Sequence, residues 1–288
     1  MRLLAALALG CLTIQAQDFS DYKVEKAAAG FRFAEGPAWS RDGFLLFSDV
    51  PADRIHKLTP GEGTTVAREN SNGASGNAFD SQGRLYTCET HTRRVVRLDK
   101  KGKAEALAER WEGKRLNAPN DIVVRKDGHV YFTDPAFGSQ ADARELDFYG
   151  IFHITPKGEL DLVAKWKSRP NGITLSPNGR ILYVTDSDRR SVAAFDLDRQ
   201  GNASNERVLI AQTRGVPGGI RTDEKGNLYL ACKGLAVYSP EGAQLGFVEM
   251  SETPSNLAFG DGDMQSIFLT ARTSVYRVRL AVKGSVQN

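Results

Sequence analysis

The feature that most constrains the fold of this chain is one unit of sequence that occurs six times along it. Each copy is a short apolar strand, a polar turn containing glycine, a second apolar strand and often an acid; residues 171–186, NGITLSPNGRILYVTD, form the clearest copy. Consecutive copies begin 40, 45, 51, 47 and 37 positions apart, a spacing typical of four-stranded propeller blades rather than of short helical repeats. The six first strands begin at Glu35, Ser75, Asn120, Asn171, Gly218 and Ser255.

The repeats predict an all-β protein, a six-bladed β-propeller with four-stranded blades that forms a single domain over residues 17–288. Repeat one, for example, is expected to have strands at 35–39, 44–48, 54–58 and 63–68. Repeat six has sequence for only three strands, so we expect the N-terminal segment 22–27 to supply its outer strand and close the ring. An insertion at 138–148 is predicted to form a loop between the second and third strands of repeat three.

Composition and charge narrow the range of partners. The chain has 288 residues, of which 41% are hydrophobic, and this is ample for a large core. The formal net charge is +3 and no block of Lys or Arg is present, which disfavours binding to nucleic acid. Cys88 and Cys232 fall on matching strands of repeats two and five, which face each other across a six-bladed ring, so we predict two free thiols. We expect a monomer or a weak homodimer.

The first 16 residues have the pattern of a secretory signal peptide, with one positive charge, a short apolar run and then small residues. We expect cleavage after Ala16 and export to the periplasm or the medium. The apolar run is too short for a transmembrane segment. Lipid anchoring through Cys11 is the alternative.

Strand directions predict that one face of the propeller collects polar residues from all the repeats. If the first strand of each blade starts at this face, the second strand ends there and the loop to the third strand lies there too. One carboxylate and two carboxamides then surround the axis, and they suit a hard divalent cation such as Ca²⁺ because such ions prefer oxygen ligands. The alternative is that each of these side chains only stabilises a local turn. The three residues are Glu35, Asn120 and Asn171.

Several long motifs of this chain occur in the same order in a known family. They are FAEGPAW at 33–39, LFSDV at 46–50, GKRLNAPNDIVV at 113–124, YFTDPAFG at 131–138, RPNGI at 169–173, ETPSNLAFG at 252–260 and LTARTSVYR at 269–277. In these motifs the chain resembles the gluconolactonase and regucalcin (senescence marker protein) family, especially its bacterial gluconolactonase branch. The resemblance implies a six-bladed propeller that hydrolyses lactones with the help of a divalent metal ion.

The resemblance also implies roles for individual residues. Glu35 and Asn171 match metal ligands of the family, and Asn120 matches an asparagine that contacts the metal or the substrate. The expected cofactor is one divalent cation, Ca²⁺, with Zn²⁺, Mn²⁺ or Mg²⁺ as alternatives. The chain departs from the family at Gly218, where the family has an acid that serves as metal ligand and general base.

Other polar residues expected at the same face are candidates to replace the missing acid. Asp121, Asp186 and His91 are predicted to be catalytic, and Asp134 is predicted to contact the substrate together with Asn120. For each of the three acids and the histidine, a role in a turn or at the solvated surface is the alternative. We also expect that Gly218→Asp, which restores the acid, raises activity.

The sequence thus predicts a divalent-metal-dependent hydrolase that opens a sugar-acid lactone or a related small ester. The alternative is a non-catalytic propeller that retains a weak metal-, sugar- or protein-binding face, which the glycine at position 218 favours. The chain has no Gly-rich phosphate loop, no paired-cysteine zinc motif and no Gly-x-Ser-x-Gly elbow, which disfavours nucleotide and serine-hydrolase chemistry.

Overall fold

The structure, a computed structural model, describes residues 22–99 and 102–285. Its strands form six four-stranded antiparallel sheets, and the predicted six-bladed β-propeller is confirmed. The predicted leader at 1–16 and Cys11 lie outside the described residues. Within the part of the chain that is described, no helix has the length and hydrophobicity needed to span a bilayer.

The blades follow one another along the chain, and the first strands of neighbouring blades contact each other around the axis. Blade one contains β2 (Ala34–Ser40), β3 (Phe44–Asp49), β4 (Arg54–Thr59) and β5 (Gly63–Glu69), and blade two contains β6 (Ala74–Phe79), β7 (Leu85–Glu89), β8 (Arg94–Leu98) and β9 (Ala104–Ala108). Blade three contains β12 (Ile122–Val124), β13 (Val130–Asp134), β14 (Tyr149–Ile154) and β15 (Leu160–Trp166), and blade four contains β16 (Pro170–Leu175), β17 (Ile181–Asp186), β18 (Ser191–Leu197) and β19 (Ala203–Ile210). Blade five contains β20 (Ile220–Thr222), β21 (Leu228–Ala231), β22 (Leu235–Tyr238) and β23 (Gln244–Val248), and blade six contains β24 (Asn256–Gly260), β25 (Ser266–Ala271), β26 (Ser274–Arg279) and β1 (Val24–Ala29).

The N-terminal strand closes the ring, as predicted. β1 pairs antiparallel with β26, with Val24 opposite Val278 and Ala29 opposite Ser274. Blade six therefore combines three strands from the C-terminal end of the chain with one from the N-terminal end. The pairing covers the edge that β26 would otherwise expose, and it ties the two ends of the described chain together.

Short elements lie outside the regular blades. The predicted insertion is present and begins with a 3₁₀ helix, Gly138–Ala143, while a second 3₁₀ helix, Val50–Ala52, follows β3. A small hairpin of β10 (Arg110–Trp111) and β11 (Lys114–Arg115), which the sequence reading did not anticipate, lies between blades two and three. Cys88 and Cys232 are buried and free, which confirms the prediction of two thiols.

Two kinds of contact hold neighbouring blades together. The first is apolar packing between sheets: Leu45 and Phe47 of blade one, for example, pack with Phe268 and Val275 of blade six. The second is a hydrogen bond between blades. The residue just before the acid that ends a second strand carries a hydroxyl, and this hydroxyl donates to a backbone carbonyl at the start of the next blade. These hydrogen bonds join Ser48 Oγ to Ser75 O (2.9 Å), Thr133 Oγ1 to Asn171 O (2.6 Å) and Thr185 Oγ1 to Gly218 O (2.8 Å).

Candidate active site

A cavity of about 490 Å³, here called the axial cavity, lies where the first strands begin. The leading residues of repeats one to four line it, together with the loops between second and third strands of blades one and three. The structure therefore brings Glu35, Asn120 and Asn171 into one cavity, with Ser75 beside them. None of the described residues that line the cavity belongs to blade five or six, so the cavity is displaced toward blades one to four.

Glu35 is the one ionisable side chain among the described residues that line the axial cavity. Burial raises the pKa of its carboxyl to about 7, and the negative charge of Asp121 adds to the rise. Hydrogen bonds from the Gly36 N–H (2.9 Å) and from the Asn256 side chain oppose it, as does the charge of Arg221. Burial and the Asp121 charge therefore favour the protonated form of Glu35 compared with a carboxyl group in water.

The backbone at Gly36 explains how Glu35 reaches the cavity. Gly36 has φ of +51°, and a Cβ there would lie 1.9 Å from the carbonyl oxygen of Ser75. Only glycine permits both this conformation and this approach between first strands. The irregular pairing of β2 with β3 falls between Glu35 and Ala38, so the first residues of β2 deviate from the regular ladder.

The two asparagines differ in how they are held. Asn171 Nδ2 donates to Ser187 Oγ (3.0 Å), which leaves its Oδ1 as the atom available to a ligand. The Asn120 backbone is fixed by hydrogen bonds to Thr133 O (2.8 Å) and from the Gly76 N–H (2.7 Å). Its side chain is half-buried in the cavity lining. Asn171 can therefore offer its Oδ1 to a cation, and Asn120 can offer either its oxygen to a cation or its N–H to a substrate.

Asp121 lies behind Asn120 and is fully buried. Its Oδ2 accepts a hydrogen bond from the Ile173 N–H (3.2 Å) and lies 3.4 Å from Arg221 Nη1. Its Oδ1 has no hydrogen-bond partner among the described residues. This oxygen lies beside Gly76, where a Cβ would be 2.8 Å away, and a buried carboxylate oxygen without a partner is destabilising unless a water molecule or a cation binds it.

Asp134 and Asp186 end second strands at the expected face, but their carboxylates turn toward the chain entering the same blade. Asp134 accepts hydrogen bonds from the N–H groups of Asn117 (2.7 Å) and Ala118 (2.9 Å), and burial raises its pKa to about 7. Asp186 accepts from the Ser168 hydroxyl and from the N–H of Arg189 (2.9 Å). Both carboxylates are buried, and neither lines the axial cavity.

His91 follows β7 and is exposed to solvent. Its backbone N–H donates to Asn72 O (3.1 Å), and its ring packs against Gly73, where a Cβ would lie 2.6 Å from the ring. The imidazole is not part of the lining of the axial cavity. Its neighbour Thr90 lines the cavity, so His91 lies next to the site without lining it.

Two residues of the site were missed by the sequence reasoning. Asn256 hydrogen-bonds to Glu35, and Arg221 pairs with Asp121 beneath the cavity. Arg221 Nη1 also donates to the carbonyl oxygens of Ile220 (2.7 Å) and Ile173 (3.3 Å). The repeat alignment contained a signal for Asn256, since it directly follows the leading residue of repeat six, whereas nothing local marks Arg221 as a partner of a residue two blades away.

Gly218 lies where a side chain has no room. A Cβ on Gly218 would lie 2.0 Å from the carbonyl oxygen of Ser255, and one on Gly219 would lie 1.8 Å from Asn256 Oδ1. The Gly218 N–H also donates to Ala231 O (2.8 Å), which fixes the strand start. The expectation that Gly218→Asp restores an acid stays a prediction, but the close contact means that the backbone must shift before a side chain fits.

The donor chemistry at the axial cavity suits a hard cation. Within residues 22–99 and 102–285, no three His, Cys, Asp or Glu side chains are grouped so that they could hold a metal ion. The predicted set is of another kind, with one carboxylate, from Glu35, and two amides, from Asn120 and Asn171, and all of them can offer oxygen. Asp121, the residue after Asn120, adds a buried carboxylate whose charge acts on Glu35.

These features define a class of protein: a six-bladed propeller with an acid–amide pocket on its axis. The chain belongs to the family described as the SMP-30/Gluconolactonase/LRE-like region, which matches residues 33–273. The family resemblance found in the sequence motifs is thereby confirmed.

Individual relatives agree with this assignment. The gluconolactonase of Zymomonas mobilis is 33% identical over 294 residues, which cover 91% of this chain and 82% of that protein. The structure of a gluconolactonase from Xanthomonas campestris superposes with a TM-score of 0.84 at 31% identity, covering 91% of this chain and 90% of that one. A calcium-binding regucalcin from Agrobacterium tumefaciens shares the fold, with a TM-score of 0.75 at 19% identity over 91% of this chain and 95% of that one.

Proposed function

We propose that this protein is a lactone hydrolase that opens its substrate in the axial cavity. The observation that carries the proposal is that Glu35, Asn120 and Asn171 line one cavity, and that Asp121, the residue after Asn120, has a buried Oδ1 without a hydrogen-bond partner among the described residues. Support for the reaction class comes from the gluconolactonases among the relatives. In the reaction, the oxygen of water adds to the lactone carbonyl carbon, the ring C–O bond breaks, a proton from the water passes to the ring oxygen, and the open hydroxy acid is released.

The residues of the site have distinct parts in this proposal. Glu35, Asn120 and Asn171 would hold one divalent cation, Ca²⁺ or another hard ion, which when bound polarises the lactone carbonyl and lowers the pKa of water. Asp121 binds a water molecule through Oδ1 and orients it toward the substrate, because this oxygen is buried and has no other partner among the described residues. Asn256 and Arg221 position Glu35 and Asp121 respectively.

In this proposal Asp134 and Asp186 stabilise the fold rather than the reaction, since their oxygens are bound to backbone and hydroxyl groups. His91 takes no part in this proposal, since its ring packs against Gly73 and the residue is exposed to solvent. We also propose that the chain is exported, on the strength of the leader pattern in residues 1–16.

A specific observation favours a second candidate, a non-catalytic propeller that only binds a ligand at the same cavity. The backbone at Gly218 leaves no room for an acid, so the cavity lining contains one carboxylate. If Asp121 cannot orient water, this site would bind a lactone or an ion without turnover.

The test is turnover of aldonolactones, beginning with δ-gluconolactone, followed with a pH indicator in the presence of Ca²⁺, Zn²⁺, Mn²⁺, Mg²⁺ or EDTA. We expect metal-dependent turnover that falls about 10²-fold or more in Glu35→Gln and in Asp121→Asn. Glu62→Gln, at an exposed turn in blade one, is the matched control and should retain full activity. Melting curves show whether each variant is folded.

The outcomes separate the two candidates. No turnover by a folded wild type with any ion, combined with a rise in melting temperature on addition of Ca²⁺, would replace the hydrolase with the binding protein. Equal turnover by wild type and Asp121→Asn would remove Asp121 from the reaction. Full activity in His91→Ala is expected, and a large loss there would contradict its exclusion from the site.

A further inference from the structure

Ser187 lies beside Asn171, one of the residues that line the axial cavity. It directly follows β17, and its side chain is buried, with 5% exposure. Its Oγ lies 3.0 Å from Asn171 Nδ2 and 3.3 Å from the carbonyl oxygen of Pro217, in the chain that enters blade five. The hydroxyl therefore joins a residue of the cavity lining to the backbone of the next blade.

The chemistry of Pro217 decides the direction of both hydrogen bonds. A carbonyl oxygen can only accept, so the Ser187 hydroxyl donates its one proton to Pro217 O. Toward Asn171 the same hydroxyl can then only accept, and the amide must present its N–H₂ group to it. The amide oxygen, Oδ1, takes no part in these contacts, so it is the end of the amide that a ligand can reach.

Thr185, two residues earlier, makes the same kind of contact. Its Oγ1 accepts a hydrogen bond from the Gly172 N–H (2.7 Å) and donates to Gly218 O (2.8 Å). The two hydroxyls thus accept from consecutive residues of β16 and donate to the consecutive carbonyls of Pro217 and Gly218. Because a backbone N–H can only donate, the parallel pair supports the direction assigned to the contacts of Ser187.

The turn that carries Ser187 is held by hydrogen bonds within blade four. The Ser187 N–H donates to Arg169 O (3.0 Å). The Asp186 carboxylate accepts from the N–H groups of Asp188 (3.0 Å) and Arg189 (2.9 Å) and closes the turn. The hydroxyl is therefore in place before any ligand binds, so little conformational freedom is lost when the site is filled.

The same contacts explain why an amide suits position 171. An aspartate there would place a second acceptor beside Ser187 Oγ, and one hydroxyl proton cannot serve both that carboxylate and Pro217 O. An amide turned the other way would also set acceptor against acceptor, and it would present N–H₂ to a cation. Asparagine in the observed direction satisfies the hydroxyl and still offers oxygen to the cavity.

We infer that Ser187 is a positioning residue, which fixes Asn171 with its oxygen toward the axial cavity and so sets how strongly the site holds a hard cation. The inference rests on the proposed cation site and adds a residue that does not itself line the cavity. Partners that hydrogen-bond to a metal-binding side chain typically contribute about 10- to 100-fold to metal affinity.

The first measurement is calorimetry of Ca²⁺ binding, with Mn²⁺ as a second probe. We expect Ser187→Ala to weaken binding about tenfold or more. In Asn171→Ala, adding Ser187→Ala should cause no further loss, because Ser187 acts through Asn171. The matched control is Ser239→Ala, since Ser239 is also buried and its hydroxyl accepts two backbone N–H groups, each at 3.3 Å, in the turn after β22. It should bind Ca²⁺ like the wild type, and melting curves show whether each variant is folded.

The second measurement detects the direction of the amide without any ion. The side-chain N–H₂ signals of Asn171 in isotope-labelled protein are assigned by their loss from the NMR spectrum of Asn171→Asp. We expect nuclear Overhauser contacts from these protons to Ser187 and Pro217 in the wild type. In Ser187→Ala their exchange with water should become about tenfold faster or more, because the hydrogen bond that protects them is gone.

The outcomes separate this inference from the proposed cation site. Equal Ca²⁺ affinity in the wild type and Ser187→Ala would overturn the inference, as would amide protons that contact Glu35 or Asn120 instead of Ser187. An equal loss of affinity in the Asn171→Ala background would show a merely structural role and would also overturn it. If no ion binds the folded wild type, the cation site is overturned and the amide signals alone decide: contacts to Ser187 support the assigned orientation, and their absence overturns it.

Discussion

The close approach of blade five to blade six at Gly218 leads to a quantitative prediction. In Gly218→Ala the new methyl group would lie 2.0 Å from Ser255 O, which is main chain and cannot rotate away. Ser255 O accepts the Gly219 N–H (2.9 Å), and Ser255 Oγ donates to Ala34 O (2.7 Å), so moving this residue disturbs the contact between blades six and one. Overpacking of about 2 kcal/mol and one weakened hydrogen bond of about 1 kcal/mol give a loss of about 3 kcal/mol.

The assay is thermal unfolding of the wild type and two alanine variants. We expect the melting temperature of Gly218→Ala to fall by roughly 5 to 10 °C. The matched control is Gly262→Ala, because a Cβ there meets nothing within 4 Å and the backbone is not in the left-handed region. It should be neutral or slightly stabilising. A Gly218→Ala protein that melts together with the control would refute the steric reasoning.

The same contact governs Gly218→Asp. The aspartate carries the same Cβ, so its melting temperature should fall at least as far as that of Gly218→Ala. A Gly218→Asp protein with unchanged stability and higher activity than wild type would instead show that the strand relaxes cheaply and that the sequence-based expectation was right.

Three further predictions concern buried polar groups. Burial lowers the pKa of His153 from its usual 6.5 to about 4, so between these pH values the unfolded chain binds a proton at this residue and the folded chain does not. The free energy of unfolding should therefore fall by up to about 3 kcal/mol as the pH drops from 6.5 to 4. Melting curves against pH should show a shallower decline in His153→Gln, a variant that also removes the contact with His129 (2.6 Å). Glu89 is buried and accepts hydrogen bonds from two arginines, so Glu89→Ala should destabilise by about 3 kcal/mol in urea unfolding, and a loss below about 1 kcal/mol would contradict this. Cys88 and Cys232 should be unreactive toward a thiol reagent until the protein unfolds, and reductant should leave the melting temperature unchanged.

The architecture could be predicted from the sequence because a propeller is a local repeat. Each blade pairs strands that are neighbours in sequence, so alternating hydrophobicity and Gly turns suffice to place them. Repeat one shows this: strands predicted at 35–39 and 44–48 are found at Ala34–Ser40 and Phe44–Asp49. The closing strand was also predictable, because blade six lacked one strand and an unassigned segment preceded blade one. The β10–β11 hairpin was not, since two-residue strands leave no periodic pattern.

The site could be predicted only in part. The repeat places Glu35, Asn120 and Asn171 at equivalent positions, and the structure places all three in one cavity. The repeat pattern also predicted site roles for the acids that end second strands. The carboxylate of Asp134, however, accepts hydrogen bonds from the backbone that enters its own blade. Sequence position determines the face on which a side chain lies, but not the partner toward which it turns.

By itself, the sequence determined the number of blades, the way the ring closes, the family and the side chains that meet at the axis, because all of these depend on a repeated local pattern or on long motifs. Only the tertiary structure shows which polar groups around these side chains have hydrogen-bond partners and which positions have room for a side chain. It pairs Asp121 with Arg221, 100 positions away, leaves one oxygen of Asp121 without a partner among the described residues, and leaves no room for a side chain at Gly218. These outcomes depend on how closely first strands from different blades approach, and that distance is set by packing around the whole ring.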